Sequence, residues 1–119
     1  MRISILASGS SGNCTLLETA KTRLLVDAGL NRRETIRRLA LLGERLEKLD
    51  GILISHEHTD HVAGLPQIAA QTRASVYLTA GTHREVLRFL EEPARKKLTR
   101  TEQIRAGERF TIGDEIGRA

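Results

Sequence analysis

Cysteine is nearly absent from this chain: Cys14 is the single one in 119 residues. No disulfide can form within the chain, so cross-links cannot replace a packed core. Cys14 stands beside Thr15, Leu16 and Leu17, a setting for a small buried thiol rather than for a metal ligand or nucleophile. Aromatic residues make up 3%, with no tryptophan; the core must therefore be built from Leu, Ile, Val and Ala. Long apolar runs are also missing. Residues 3–7 are apolar in character but far too few for a signal-peptide core or a membrane span. A reducing location, the cytoplasm, and no membrane association are expected.

What is present is the composition of a folded protein, 39% hydrophobic and 29% charged. The length suits one small domain or part of a larger one. The formal net charge is +4 and the isoelectric point about 9.8, which suits an anionic partner such as nucleic acid. Lys and Arg nevertheless alternate with Glu, as in Arg32-Arg33-Glu34 and Glu44-Arg45-Leu46-Glu47-Lys48. That is the pattern of a solvated helix face, so charge alone identifies no partner.

Strands are expected at residues 3–7, 14–18 and 23–27, the second and third joined by a short link as a hairpin. Residues 32–42 read as a helix, with Asn31 to cap it, Gly43 to stop it, and Ile36, Leu39 and Ala40 on its inner face. Asp50-Gly51 turns into the apolar strand 52–54. Residues 62–72 read as one helix with Leu65, Ile68 and Ala69 inward, although Gly64 and Pro66 disturb its start. A strand at 75–78 and a helix at 82–91 follow, the latter burying Val86, Leu87 and Leu90, with Pro93 past its end. Residues 95–108 show no period, 109–112 form a weak strand, and 115–119 carry no core signal. Strands alternating with helices after Asp27 predict an α/β layer, a sheet with helices packed on one face.

The chemistry concentrates in Ser55-His56-Glu57-His58-Thr59-Asp60-His61, which holds three of the four histidines. Imidazole and carboxylate are ligands for zinc, iron and manganese, and a loop leaving an apolar strand is where α/β sheets place their sites. In an extended turn His56 and His58 point to the same side, while Asp60 and His61 follow as the chain bends into a helix. Two pairs of ligands could then face two adjacent metals. A purely structural alternative is a capped turn, since Ser55, Thr59 and Asp60 are all good helix caps. Three clustered imidazoles gain little from such a role and would repel one another when protonated.

The His-x-His-x-Asp-His pattern after a hydrophobic strand resembles the signature of the metallo-β-lactamase-fold hydrolases. Leu25-Val26-Asp27-Ala28-Gly29 resembles the family's earlier strand ending in Asp-x-Gly. Ser8-Gly9-Ser10-Ser11-Gly12-Asn13, Thr79-Ala80-Gly81-Thr82 and Gly107-Glu108-Arg109-Phe110 resemble its YycJ/WalJ-like branch. The resemblance implies the N-terminal half of an αβ/βα sandwich, a mixed β-sheet with helices on one face, spanning residues 1–119 as a partial domain. It implies two divalent metal ions, zinc or else manganese or iron. His56 and His58 would bind the first, and Asp60, also the catalytic carboxylate, would bind the second with His61. Asp27 would orient a ligand histidine, or be no more than a strand-end turn residue. Ser8, Ser10, Ser11 and Asn13 would line a loop offering N–H groups to a substrate phosphate, the alternative being a plain tight turn. His83 reads as a surface residue, and Glu57 as facing away from the metals.

The implied activity is phosphodiester cleavage, with nucleic acid or another phosphodiester as substrate, through a metal-activated hydroxide. Thioester, lactone or β-lactam hydrolysis is the alternative within the same fold. Family members also draw a histidine, a bridging aspartate and a late histidine from their second half, whereas no histidine follows His83 here. Three explanations stand: truncation of a longer hydrolase, a homodimer covering the open sheet and sharing ligands across a two-fold axis, or a non-catalytic module associating through that sheet. Truncation is the expected one, with the short chain weakly active or inactive alone.

Overall fold

The computed structural model describes residues 1–10, 12–55, 59–98, 100–105, 107–113 and 115–118, with the side chains at 59, 60, 89 and 115–118 outside the description. Six strands form one mixed sheet in chain order, β1 (Arg2–Ala7), β2 (Cys14–Glu18), β3 (Arg23–Val26), β4 (Gly51–Leu53), β5 (Ser75–Thr79) and β6 (Thr101–Ile104). The first three are antiparallel neighbours, and β3 through β6 run parallel. Each parallel step is bridged by helix: α1 (Arg32–Leu41), then α2 (Thr59–Val62) with α3 (Leu65–Ala70), then α4 (Ala80–Phe89). Because the strand order never reverses, right-handed crossovers place every helix on the same face, as the pattern of strands and helices predicts.

That face holds the core. Leu16, Leu25, Ile52 and Val76 stand abreast across four strands, each at most 1% exposed, and pack with Leu39, Leu65, Ile68 and Val86 from the helices. Aliphatic residues suffice here because each of β2 to β5 supplies one to the same layer. The opposite face, through Leu24, Gly51 and Tyr77, is partly covered by a hairpin of β7 (Arg109–Ile112) and β8 (Glu115–Arg118). Ile112 is 3% exposed and crowds the position a Gly51 Cβ would take, while Phe110 stacks on Tyr77 with ring centroids 6.5 Å apart. Farther along the same face, Ile3 and Ile5 remain 62% and 68% exposed.

The structure corrects several readings. Asn31 caps α1 as expected, accepting from the Glu34 N–H at 2.8 Å. The buried face of α1, however, uses Thr35 with Leu39, while Ala40 is exposed. Thr35 tolerates burial because its hydroxyl donates to the Asn31 carbonyl at 2.8 Å. The single helix expected over 62–72 is two, broken at Gly64. The Gly64 N–H donates to the Ala28 carbonyl at 2.8 Å, and a Cβ there would sit 1.8 Å from the Leu30 carbonyl oxygen. Helix α4 also starts earlier than expected, with Thr79 as its cap. Two strands, β6 and β8, escaped the sequence reading. Thr101-Glu102-Gln103-Ile104 is a sheet edge with two exposed polar residues, so it carries no apolar alternation.

Two predictions follow from this packing. Gly64→Ala must move backbone rather than a flexible side chain, and should destabilise by more than about 2 kcal/mol in chemical unfolding. Gly43→Ala, at φ +74° with open space around it, should lose about 1 kcal/mol. Equal losses would mean that the approach of Gly64 to the Leu30 carbonyl is not tight. On α1, side-chain bonds from Arg37 and then Arg38 hold the Glu34 carboxyl down to about 2. A depressed carboxylate contributes stability above its ordinary value of 4.5 and loses it as pH falls through about 2. Glu34→Gln should therefore lower Tm at pH 7 and have little effect at pH 2; parallel Tm–pH curves for the two proteins would refute the pairing.

Candidate metal centre

The parallel strands β3 and β4 end side by side, Val26 opposite Leu53, and the residues that follow them meet. Asp27 leaves β3 in the left-handed region, φ 65°, which Asp tolerates better than most residues. Its N–H still donates to the Leu53 carbonyl at 2.7 Å, so the ladder holds the backbone while the turn redirects the side chain. Asp27 is 6% exposed and its carboxylate is well satisfied. Oδ1 accepts the Ser55 N–H at 2.8 Å, and Oδ2 accepts the Ser55 hydroxyl at 2.7 Å. His61 Nδ1 lies 2.7 Å from the same Oδ2.

The main chain reinforces this contact. The Ala28 N–H donates to the His61 carbonyl at 2.7 Å, and the Ala28 carbonyl accepts from Gly64. His61, on α2, is thus fixed at both side chain and backbone to the exit of β3. A carboxylate at Nδ1 favours the tautomer with the proton on that nitrogen. Any metal coordination by His61 would then fall to Nε2, the usual arrangement when a carboxylate orients a ligand imidazole. The donor chemistry fits a divalent ion, with an imidazole backed by a buried anion.

Among the described residues no three His, Cys, Asp or Glu side chains gather as a metal site. His56, Glu57 and His58 lie outside the described residues, as does the Asp60 side chain. Of the expected ligands, His61 alone can be located, and it stands against Asp27, which was read from the sequence as an orienting residue or a turn residue. Ser55 was read only as a potential cap; its hydroxyl and N–H go instead to Asp27. Its place two residues after a β-strand, directly before the histidines, was the available signal.

The loop after β1 lies at this same edge of the sheet. The Gly29 N–H donates to the Asn13 carbonyl at 2.9 Å, two residues beyond Asp27. The Asn13 carboxamide closes the loop on Gly9, accepting its N–H at 3.2 Å and donating to its carbonyl at 2.9 Å. Gly9 and Gly12 have φ of 118° and 150°, and a Cβ on Gly12 would press on the Gly29 carbonyl at 3.1 Å. Ser8 and Ser10 are exposed, and Ser11 lies outside the described residues. His83, in the first turn of α4, has Nδ1 3.2 Å from Gln103 Nε2 on β6.

Comparison with known proteins agrees with this architecture. Residues 7–118 match the family model of the metallo-beta-lactamase superfamily. The exodeoxyribonuclease WalJ of Streptococcus pneumoniae serotype 2 (strain D39) is 47% identical over 81 residues, covering 68% of this chain and 30% of that protein. The exodeoxyribonuclease YycJ of Bacillus anthracis is 38% identical over 82 residues, 69% of this chain and 31% of its own length. The chain thus spans about 30% of the length of these relatives. Among solved structures, the Rm3 metallo-beta-lactamase superposes with a TM-score of 0.76 at 22% identity, over 96% of this chain and 46% of that one. At that identity the likeness shows the fold alone: a mixed sheet with helices, covering about half of the neighbour's chain.

Cys14 is in the core, 1% exposed. Burial first, then the nearby Asp27 charge, pushes its thiol up to about 12. It should remain unmodified by a thiol-specific disulfide reagent at pH 8 in the native protein and react at once in denaturant. Rapid labelling of the folded chain would contradict this burial.

Proposed function

Since the chain belongs to the metallo-β-lactamase superfamily, we propose that it carries the metal-binding part of a hydrolase that cleaves phosphodiesters in nucleic acid. The observation that carries this reading is the buried Asp27 carboxylate set against His61 Nδ1, the support a ligand imidazole needs to present Nε2 in one orientation. Two relatives named as exodeoxyribonucleases favour nucleic acid over thioester, lactone or β-lactam substrates. A cytoplasmic location belongs to the same reading.

In this proposal His56 and His58 hold one divalent ion, and Asp60 and His61 a second. Zinc suits this ligand set, and manganese or iron would also be accepted. The ions would lower the pKa of a bound water and offset charge on the phosphoryl oxygens. The protein's own residues position these groups. Asp27 keeps the His61 proton on Nδ1, Ser55 locks the Asp27 carboxylate from two sides, and Asp60 would serve both as ligand and as the catalytic carboxylate. Ser8, Ser10, Ser11 and Asn13 would contact the substrate from the loop tied to Gly29. Further ligands would come from outside residues 1–119, so this chain alone should turn over slowly or not at all. A second reading, a module that associates through its open sheet, rests on the exposure of Ile3 and Ile5; a homodimer is its simplest form.

Metal content and affinity test the proposal. Protein purified without chelator should contain bound divalent metal. His61→Ala should abolish the second ion, and Asp27→Asn should weaken binding about 10- to 100-fold. Cleavage of single-stranded DNA, where present, should disappear with chelator and return with added zinc or manganese. Unchanged metal affinity in both variants would remove His61 and Asp27 from the site. A metal-free, stable dimer would favour the association reading.

A further inference from the structure

The chain's positive charge is unevenly compensated. Arg2, Arg23, Arg37, Arg38, Arg45, Arg88 and Arg105 each lie within 4 Å of a glutamate. Like Lys21, Arg33, Lys48, Arg84 and other cations, Arg32, Arg73, Lys97 and Arg100 are exposed and have no carboxylate within 4 Å among the described residues. The last four line two adjoining hollows on the helical side of the sheet. One, of about 330 Å³, lies between Arg73, Arg100, Gln71 and Glu47. The other, of about 300 Å³, lies between Arg32, Lys97 and Gln71.

Gln71 and Ala70 line both, so the hollows form one groove across the end of α3. The groove has fixed walls. Gln71 accepts from Arg32 at 2.8 Å and donates to Glu47 at 3.2 Å, and the Arg100 carbonyl accepts the Val76 N–H at 2.7 Å. Glu47, the one carboxylate lining it, also faces Arg45 at 3.4 Å. At these volumes each hollow sits at the bottom of the roughly 300–1,000 Å³ range of small-molecule pockets, and each is lined by two cations. Exposed cations without carboxylate partners along an open groove suit successive phosphates of a polymer, which need charge and not enclosure.

We propose that this groove is a binding track for a nucleic-acid strand, separate from the metal loop. It rests on the reading of nucleic acid as substrate and adds where the strand is held away from the reacting bond. Helix α3 begins at Leu65, four residues after His61, and its six residues span about 9 Å. One strand could therefore occupy the groove and reach the loop. Arg32, Arg73, Lys97 and Arg100 contact phosphates, and Gln71 keeps Arg32 turned into the groove.

The test is binding of a fluorescent single-stranded DNA 20-mer to the whole chain in chelator, across a salt series. Arg73→Gln/Arg100→Gln is compared with Arg2→Gln/Arg88→Gln, which removes the same charge from paired positions. Loss of two phosphate contacts should lower the slope of log K against log salt by about 1.4, and weaken binding on the order of 25-fold at 0.1 M salt, at about 0.7 per contact. The control should change little. Equal weakening in both double variants would reduce the effect to net charge and overturn the track, as would equally tight binding of polyglutamate. Hydrolysis of a small chromogenic phosphodiester by metal-loaded protein separates the two readings. Its absence would count against the catalytic proposal alone, because strand binding is measured without metal.

Discussion

The buried Asp27 carboxylate is the constraint around which one edge of this protein is arranged. A carboxylate on a residue only 6% exposed is stable only where partners replace the water it gives up. Three separate stretches of chain meet here: Asp27 directly follows β3, Ser55 lies two residues past β4, and His61 is on α2. Their convergence needs β3 and β4 to be parallel neighbours in one register, with Val26 opposite Leu53. It also needs the backbone at Asp27 to turn to φ 65°, and α2 to be pinned to Ala28, which Gly64 permits by lacking a side chain. Sheet register, a strained turn and a glycine close approach thus serve a single carboxylate–imidazole contact.

The two faces of the sheet are finished to different degrees. On one, four aliphatic residues abreast and the helices above them make a closed core. On the other, the β7–β8 hairpin shields Leu24, Gly51 and Tyr77 but stops short of Ile3 and Ile5. The superposition covers 46% of the Rm3 enzyme, so this sheet with its helices is about half of the fold that such enzymes display. An antiparallel hairpin lying over a mostly parallel sheet is a second layer of β-structure begun on the open face. Burial of the remaining apolar surface would stabilise whatever completes it, at about 25 cal/mol for each Å² removed from water.

Charge is organised as distinctly as hydrophobicity. Seven arginines are matched with glutamates, and exposed pairs of that kind add little to stability. The net charge of +4 is left to groups such as those around the α3 groove, where it can act on a polyanion. Exposed cations without a carboxylate within 4 Å are spread over the described surface, and four of them line the α3 groove.

The sequence alone determined the class of fold and the position of its chemistry. Apolar runs located β1 to β5, and β2 to β5 each bury hydrophobic residues, whereas Ile3 and Ile5 of β1 stay exposed. Asn31 and Gly43 bounded α1, because cap geometry is local. The histidine cluster marked the loop proposed to hold metal, since so many imidazoles within six residues have few other uses. The edge strand β6 and the hairpin strand β8 stayed hidden, because edge pairing needs no apolar signature. The break at Gly64 and the inward turn of Thr35 were hidden as well, because each answers to a carbonyl elsewhere: Ala28 and Leu30 for Gly64, Asn31 for Thr35. Only the tertiary structure decided that Ser55 serves Asp27 and that Arg73 and Arg100 share one groove. The physical reason is the same in each case: hydrogen bonding and charge act through space at a few ångströms, between residues that can be dozens of positions apart in the chain.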